Sequence, residues 1–177
     1  KLLRSSKSAP TFKKRLQKVV PTGSYVCLYV GFNSSAKDIG LETTNLWIYP
    51  DYDHDKNVAE FAADSTKDFP VVYVSFPSAK DPAWDKEHPS SATMEVITMA
   101  QFEWYDKWTS GYWKKHGDEY EAYKEEISQR LLAKVFEHVP QAKEHLDYYE
   151  LSTPLTVRDL ANYPQGELYG LEHDPSR

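Results

Sequence analysis

Residues Tyr25 to Phe32 read YVCLYVGF, a run in which both alternating sets of side chains are apolar. A strand with one wet face alternates apolar with polar, whereas a strand that is apolar on both faces is covered on both, by protein or by a greasy ligand. This run therefore calls for a layered fold. Three further segments share its β-branched and aromatic character between Pro, Gly or Asp boundaries: Asn45 to Tyr49, Val71 to Phe76 and Thr93 to Met99. In the first of these, Leu46 and Ile48 interleave with Trp47 and Tyr49, so neither face is plainly polar.

Helical periodicity accounts for most of the rest. Thr11 to Lys18 is a candidate helix behind Pro10, with Phe12, Leu16 and Val19 on one side. Asp55 is placed to cap a short helix through Val58, Phe61 and Ala62. Gln101 to Trp108 sets Trp104 and Trp108 on one helical face. Asp118 and Glu121 form a capping-box-like start for a long helix with Tyr120, Tyr123, Ile127, Leu131 and Val135 as its apolar stripe. Pro140 breaks or kinks that helix, and Gln141 to Leu146 adds a further turn or two. Tyr148 to Leu151 and Glu167 to Leu171 read as short strands around a helical Val157 to Asn162. The sum is an α+β fold, a mostly antiparallel sheet with helices packed on one face. With no repeat, low-complexity tract or internal boundary, one domain over 1–177 is expected.

Net charge is −6, which argues against general nucleic-acid binding because phosphate affinity needs clustered Lys and Arg. Lys1, Arg4, Lys7, Lys13, Lys14, Arg15 and Lys18 nevertheless precede the first acid, Asp38. That arm suits anionic lipid or a cofactor phosphate, or is simply a solvated helix face. Pro21 to Ser24 interrupt the apolar stretch from Val19 to Phe32, so no signal-peptide h-region is expected. No run reaches the ~20 apolar residues of a membrane span. A cytoplasmic or peripheral membrane location follows as the expectation. The lone Cys27 excludes an internal disulfide and, lying in an apolar run, reads as a core thiol.

Motifs for metal and hydrolytic chemistry fail on inspection. Asp51, Asp53 and Asp55 mimic the start of a calcium loop, yet Lys56 and Ala62 stand where glycine and glutamate are needed, leaving a turn and helix cap as the reading. The six histidines show no zinc spacing, and no metal site is expected. Ser24 and Ser110 lack a nucleophile elbow. The acids from Asp118 to Glu126 lie mainly on the exposed face of a helix. Trp104, Tyr105, Trp108, Tyr112 and Trp113 suit the lining of a channel for a long apolar ligand, a membrane interface, or the core between helix and sheet.

Three segments carry a family likeness. They are Ser152 to Asp174, STPLTVRDLANYPQGELYGLEHD; Phe76 to Trp84, FPSAKDPAW; and Thr93 to Trp108, TMEVITMAQFEWYDKW. Together they resemble the flavin-dependent carotenoid and retinoid oxidoreductases, which hold retinol saturases, carotenoid isomerases and phytoene desaturases. The retinol-saturase branch is the most similar, over residues 9 to 177. The resemblance implies an enzyme that saturates, desaturates or isomerises a C=C bond of a polyene or similar lipid, using FAD, with NAD(P)H as a further candidate cofactor.

Such enzymes open with a G-x-G-x-x-G turn that receives the dinucleotide pyrophosphate. None of the seven glycines here brackets one. The resemblance therefore implies that residues 1–177 are the substrate-binding domain of a longer enzyme, with the FAD-binding domain outside this chain and acting as its partner. It also implies that the ends of the chain emerge on one side, and that the fragment alone is inactive.

By the same likeness, Thr153 and Thr156, then Gly166, Tyr169, Gly170 and His173, form the part approaching flavin and substrate. Gly166 and Gly170 allow close backbone approach. Tyr169 or His173 orients substrate or supplies a proton. As plain turn residues they are equally well explained. A stand-alone lipid-binding or interaction module, without redox activity, is the alternative from another class, and a membrane surface is a further candidate partner.

Overall fold

The computed structural model describes Lys14, residues 18–173 and Pro175. The expected helix from Thr11 to Lys18 and most of the basic arm lie outside the described residues. Among the described residues, five strands form one antiparallel sheet: β1 (Ser24–Phe32), β2 (Leu46–Ile48), β3 (Val72–Ser75), β4 (Ala92–Ala100) and β5 (Leu146–Ser152). Their spatial order is β2-β3-β4-β1-β5. All four expected central strands are present, and the architecture is α+β as anticipated. β1 and β4 pair along their full length, from Ser24 opposite Ala100 to Phe32 opposite Ala92.

This register fixes which side chains share a face. Val26, Leu28 and Val30 lie level with Thr98, Val96 and Met94 and are buried. Against them packs the long helix α5 (Asp118–Phe136), through Ile127, Leu131, Leu132 and Val135. The earlier helices are α1 (Ala36–Ile39), α2 (His54–Ala63), α3 (Pro77–Lys80) and α4 (Trp84–Glu87); α6 (Pro154–Ala161) follows β5. No described helix is long and apolar enough to cross a membrane.

Several local expectations change in detail. The long helix begins behind Gly117, at φ 93°, with no side-chain cap, so Asp118 and Glu121 serve the helix dipole and not a capping box. The residue that caps α2 is Asp53, whose carboxylate accepts from Lys56 N, while Asp51 accepts from Asp53 N and from Asn57 Nδ2. The acidic cluster is thus a turn and a cap. Residues Phe102–Trp108 form a 3-10 helix in place of an α-helix.

That change redistributes the aromatics. Tyr105 is fully buried, while Trp104 meets Phe61 edge-on at 5.2 Å and Trp108 packs against Tyr120 and Tyr123. Among the described residues the buried Tyr105 hydroxyl has no hydrogen-bond partner. A buried hydroxyl without a partner costs more than a hydrogen atom in its place, so Tyr105→Phe is expected to raise stability by about 1 kcal/mol. Urea unfolding of both proteins checks this, and a loss of stability would mean the hydroxyl is paired.

Residues Glu167 to Leu171 do not form a full strand. They make two isolated bridges, Glu167 to Ser24 and Leu171 to Pro21. Gly166 at φ 57° and Gly170 at φ 77° turn the chain on either side, which interrupts the extended run. This tail is nevertheless tied down, with Leu168 N donating to Gly23 O at 3.0 Å, Thr22 N to Gly170 O at 2.7 Å and Glu172 N to Val20 O at 2.8 Å. The two ends of the described chain therefore lie side by side.

Candidate functional site

One face of the sheet carries the helices; the other is only partly covered. On this second face Trp47 is level with Tyr73, Tyr73 with Ile97, and Ile97 with Cys27, one row across four strands. Tyr25 lies opposite Met99 in a neighbouring row. Trp47 and Tyr73 pack ring to ring at 4.8 Å, yet Trp47 remains 60% exposed. The tail arches over the start of β1 and contributes Leu168 and Tyr169. Together these residues wall an open, mainly apolar groove of about 640 Å³.

The groove is framed by hydrogen bonds that occupy its three aliphatic hydroxyls. Thr98 Oγ1 donates to Val71 O at 2.6 Å and fixes the entry to β3. Ser24 Oγ donates to Gln165 O at 2.5 Å. Thr22 Oγ1 donates to Gly170 O and accepts from Tyr169 N at 3.0 Å. Of the tail residues that the sequence singles out, Tyr169 and Gly170 hold the rim, through their backbone.

Around Cys27 the electrostatics favour neutral groups. Burial pushes the Cys27 thiol up to about 12, with a hydrogen bond from Tyr29 opposing the rise only partly. Tyr29 is raised by burial first and then by Cys27 and Glu95, and Tyr25 by burial and then Cys27. A charge placed here loses hydration without gaining a partner. The ordinary thiol value is 9.0, so the neutral Cys27 contributes stability that is fully present below pH 9 and is lost as pH rises through about 12. Its reactivity follows the same sign. At pH 8 iodoacetamide is expected to label native Cys27 at least ~100-fold more slowly than the denatured chain, because the thiolate is the nucleophile. Equal rates would place Cys27 in an exposed, ionisable setting.

The structure separates the residues singled out from the sequence. Tyr169, 74% exposed, lines the groove. Trp104 and Trp108 belong to the aromatic layer on the helical face. Thr153 is buried, shares a 2.6 Å hydrogen bond with Tyr120 Oη, and forms a reciprocal capping box with Thr156 at the start of α6. A Cβ on Gly166 would lie 2.5 Å from Pro154 Cα and from its carbonyl oxygen, so the glycine lets the tail close against α6. Gly170 has open space around its Cα and is constrained by its positive φ alone. His173 is exposed beyond the groove lining.

Trp47, Tyr73, Ile97, Met99 and Tyr25 are the groove residues not singled out as a site from sequence. For Tyr25 and Trp47 the sequence signal is the apolar character of both alternating sets in their strands; Tyr73, Ile97 and Met99 carry no such signal. No nucleophile and base are paired in the groove. What its geometry provides is binding and orientation of an elongated apolar molecule, with phenol groups at its edge.

No protein-family model matches the chain. Among curated relatives, all-trans-retinol 13,14-reductase of Danio rerio is 29% identical over 168 residues, covering 93% of this chain and 28% of that protein. The human protein of the same name is 26% identical over 177 residues, covering 98% of this chain and 29% of its own length. An inactive all-trans-retinol 13,14-reductase of Danio rerio is 27% identical over 155 residues. The chain thus spans less than a third of the length of the relatives it matches. Over nearly its whole length, this chain is a homologue of one segment of the all-trans-retinol 13,14-reductases.

Proposed function

We propose that this chain is the substrate-binding part of an oxidoreductase acting on C=C bonds of a retinoid or similar polyene, and that the groove on the open sheet face holds the substrate. The observation that carries the reading is the groove itself, an apolar trough on a sheet face with the family-like tail at its rim. The names of the relatives support the ligand class. In this reading 1–177 is one substrate domain, and its partner is a flavin-binding domain of the same parent chain.

The residues described here do not build a dinucleotide cradle. Gly166 spends its freedom on the approach to Pro154, and the Gly170 carbonyl is occupied by Thr22. FAD, which supplies hydride transfer, would be held elsewhere in the parent. The contribution of this chain is to bind the polyene, exclude water from it and set its position. Tyr169 presents a phenol at the rim, and Thr153, Thr156, Trp104 and Trp108 hold α6 and the aromatic layer beneath it.

Titration of the chain with all-trans-retinol, read by tryptophan quenching, tests the reading. Saturable binding is expected at micromolar concentration. Absorbance of the parent protein near ~370 and ~450 nm, where bound flavin absorbs, tests the redox half. Binding without flavin in the parent would leave a lipid-binding module; no saturable binding would remove the groove from the account.

A further inference from the structure

The groove is apolar along most of its length, but its outer end is not. Asn45, one residue before β2, lines it there. The Lys80 ammonium, at the end of α3, donates to Asn45 Oδ1 and, at 2.8 Å, to Ser75 Oγ. An ammonium has no acceptor, so it fixes the orientation of the amide, with Oδ1 facing Lys80. The Asn45 NH2 is left as a donor, and it makes no hydrogen bond to another described residue.

The other polar groups of the lining differ. The hydroxyls of Thr22, Ser24 and Thr98 are spent on backbone carbonyls. The phenols of Tyr25, Tyr73 and Tyr169 rotate freely between donating and accepting, so they do not discriminate. Asn45 alone among these is locked as a donor, with a positive charge directly behind it. It lies just before the outer strand, which is three strands from β1, where Tyr169 is held by Thr22 near the strand's start. With ~4.8 Å between strands and ~3.3 Å per residue, the diagonal between them is on the order of 20 Å, the scale of an extended polyene.

We propose that Asn45, oriented by Lys80, is a specificity-determining residue that receives the oxygen-bearing end of the ligand and so sets the direction in which the polyene lies in the groove. This rests on the groove reading above and adds polarity to it. The ligand class is an elongated hydrocarbon with a hydrogen-bond-accepting oxygen at one terminus. Its apolar body extends over Trp47, Tyr73 and Ile97 toward Tyr169.

The test compares two probes on the same chain: all-trans-retinol, and the matched hydrocarbon with a methyl group in place of the terminal CH2OH. Asn45→Ala is expected to weaken retinol binding about tenfold, the scale of one hydrogen bond, and to change hydrocarbon binding less than about twofold. Lys80→Met, which leaves Asn45 in place but frees its amide to flip, is expected to weaken retinol severalfold and to spare the hydrocarbon. Thermal melts of both variants confirm folding, since both sites are at the surface. Equal loss for the two probes in Asn45→Ala would reduce Asn45 to a shape-filling role and overturn the inference, as would no loss for either. Failure of the unaltered chain to bind either probe would defeat the groove reading itself, and this inference with it.

Discussion

Replacing Gly166 by alanine is expected to destabilise the protein by about 3–5 kcal/mol, far more than the same change at Gly170. Both glycines hold positive φ, at 57° and 77°, which alone costs roughly 1–2 kcal/mol for a residue with a Cβ. At Gly170 that is the whole effect, because the added methyl meets open space. At Gly166 the methyl would sit 2.5 Å from backbone atoms of Pro154. Pro154 is buried at the first turn of α6 and is held by the Thr153–Thr156 capping box, so it has little room to retreat. The tail must swing out instead, taking with it the Leu168 and Tyr169 wall. Guanidinium unfolding of the two variants measures the difference, and comparable losses at both positions would show that the Pro154 contact relaxes at low cost.

Ile97→Glu is expected to reduce retinol affinity at least ~30-fold while leaving the fold intact. Ile97 stands in the centre of the groove floor between Tyr73 and Cys27. It is only partly buried, so a glutamate can be accommodated in the free protein with its carboxylate in water. A bound polyene would strip that water away, and Glu95, two residues back along β4 on the same face, is a like charge. Burying an unpaired carboxylate under ligand costs several kcal/mol, hence the size of the expected loss. Thermal melting and retinol titration of the variant check the two halves separately. Unchanged affinity in a folded variant would place the ligand elsewhere.

The sheet is legible because its strands are dense in β-branched and aromatic residues between Pro, Gly or Asp boundaries. The four central runs became β1 to β4, and the stripe from Tyr120 to Val135 became the buried side of α5. Finer features depended on competition that a single sequence does not display. Asp53 and Asp55 are both acceptable caps, and the turn made by Asp51 decides between them. The expected strand at Glu167 to Leu171 is interrupted because two glycines adopt positive φ, a choice set by contacts with Pro154 and Thr22.

The site was legible only in part. Tyr169 could be chosen by family likeness, and it does line the groove. Trp47, Tyr73 and Ile97 come from three strands, and their adjacency is a property of register alone. Thr153 illustrates the converse. Its place in a family-like motif suggested contact with substrate, whereas the structure occupies its side chain with Tyr120 and the first turn of α6.

Photolabelling of the chain with all-trans-retinol carrying a diazirine on its ring, followed by peptide mass mapping, locates the bound ligand. Saturable labels, competed by unmodified retinol, are expected on peptides containing Trp47, Tyr73, Ile97, Met99 or Tyr169. Competed labels confined to the helical face of the sheet, or to the exposed Tyr112 and Trp113, would contradict the groove as the substrate site.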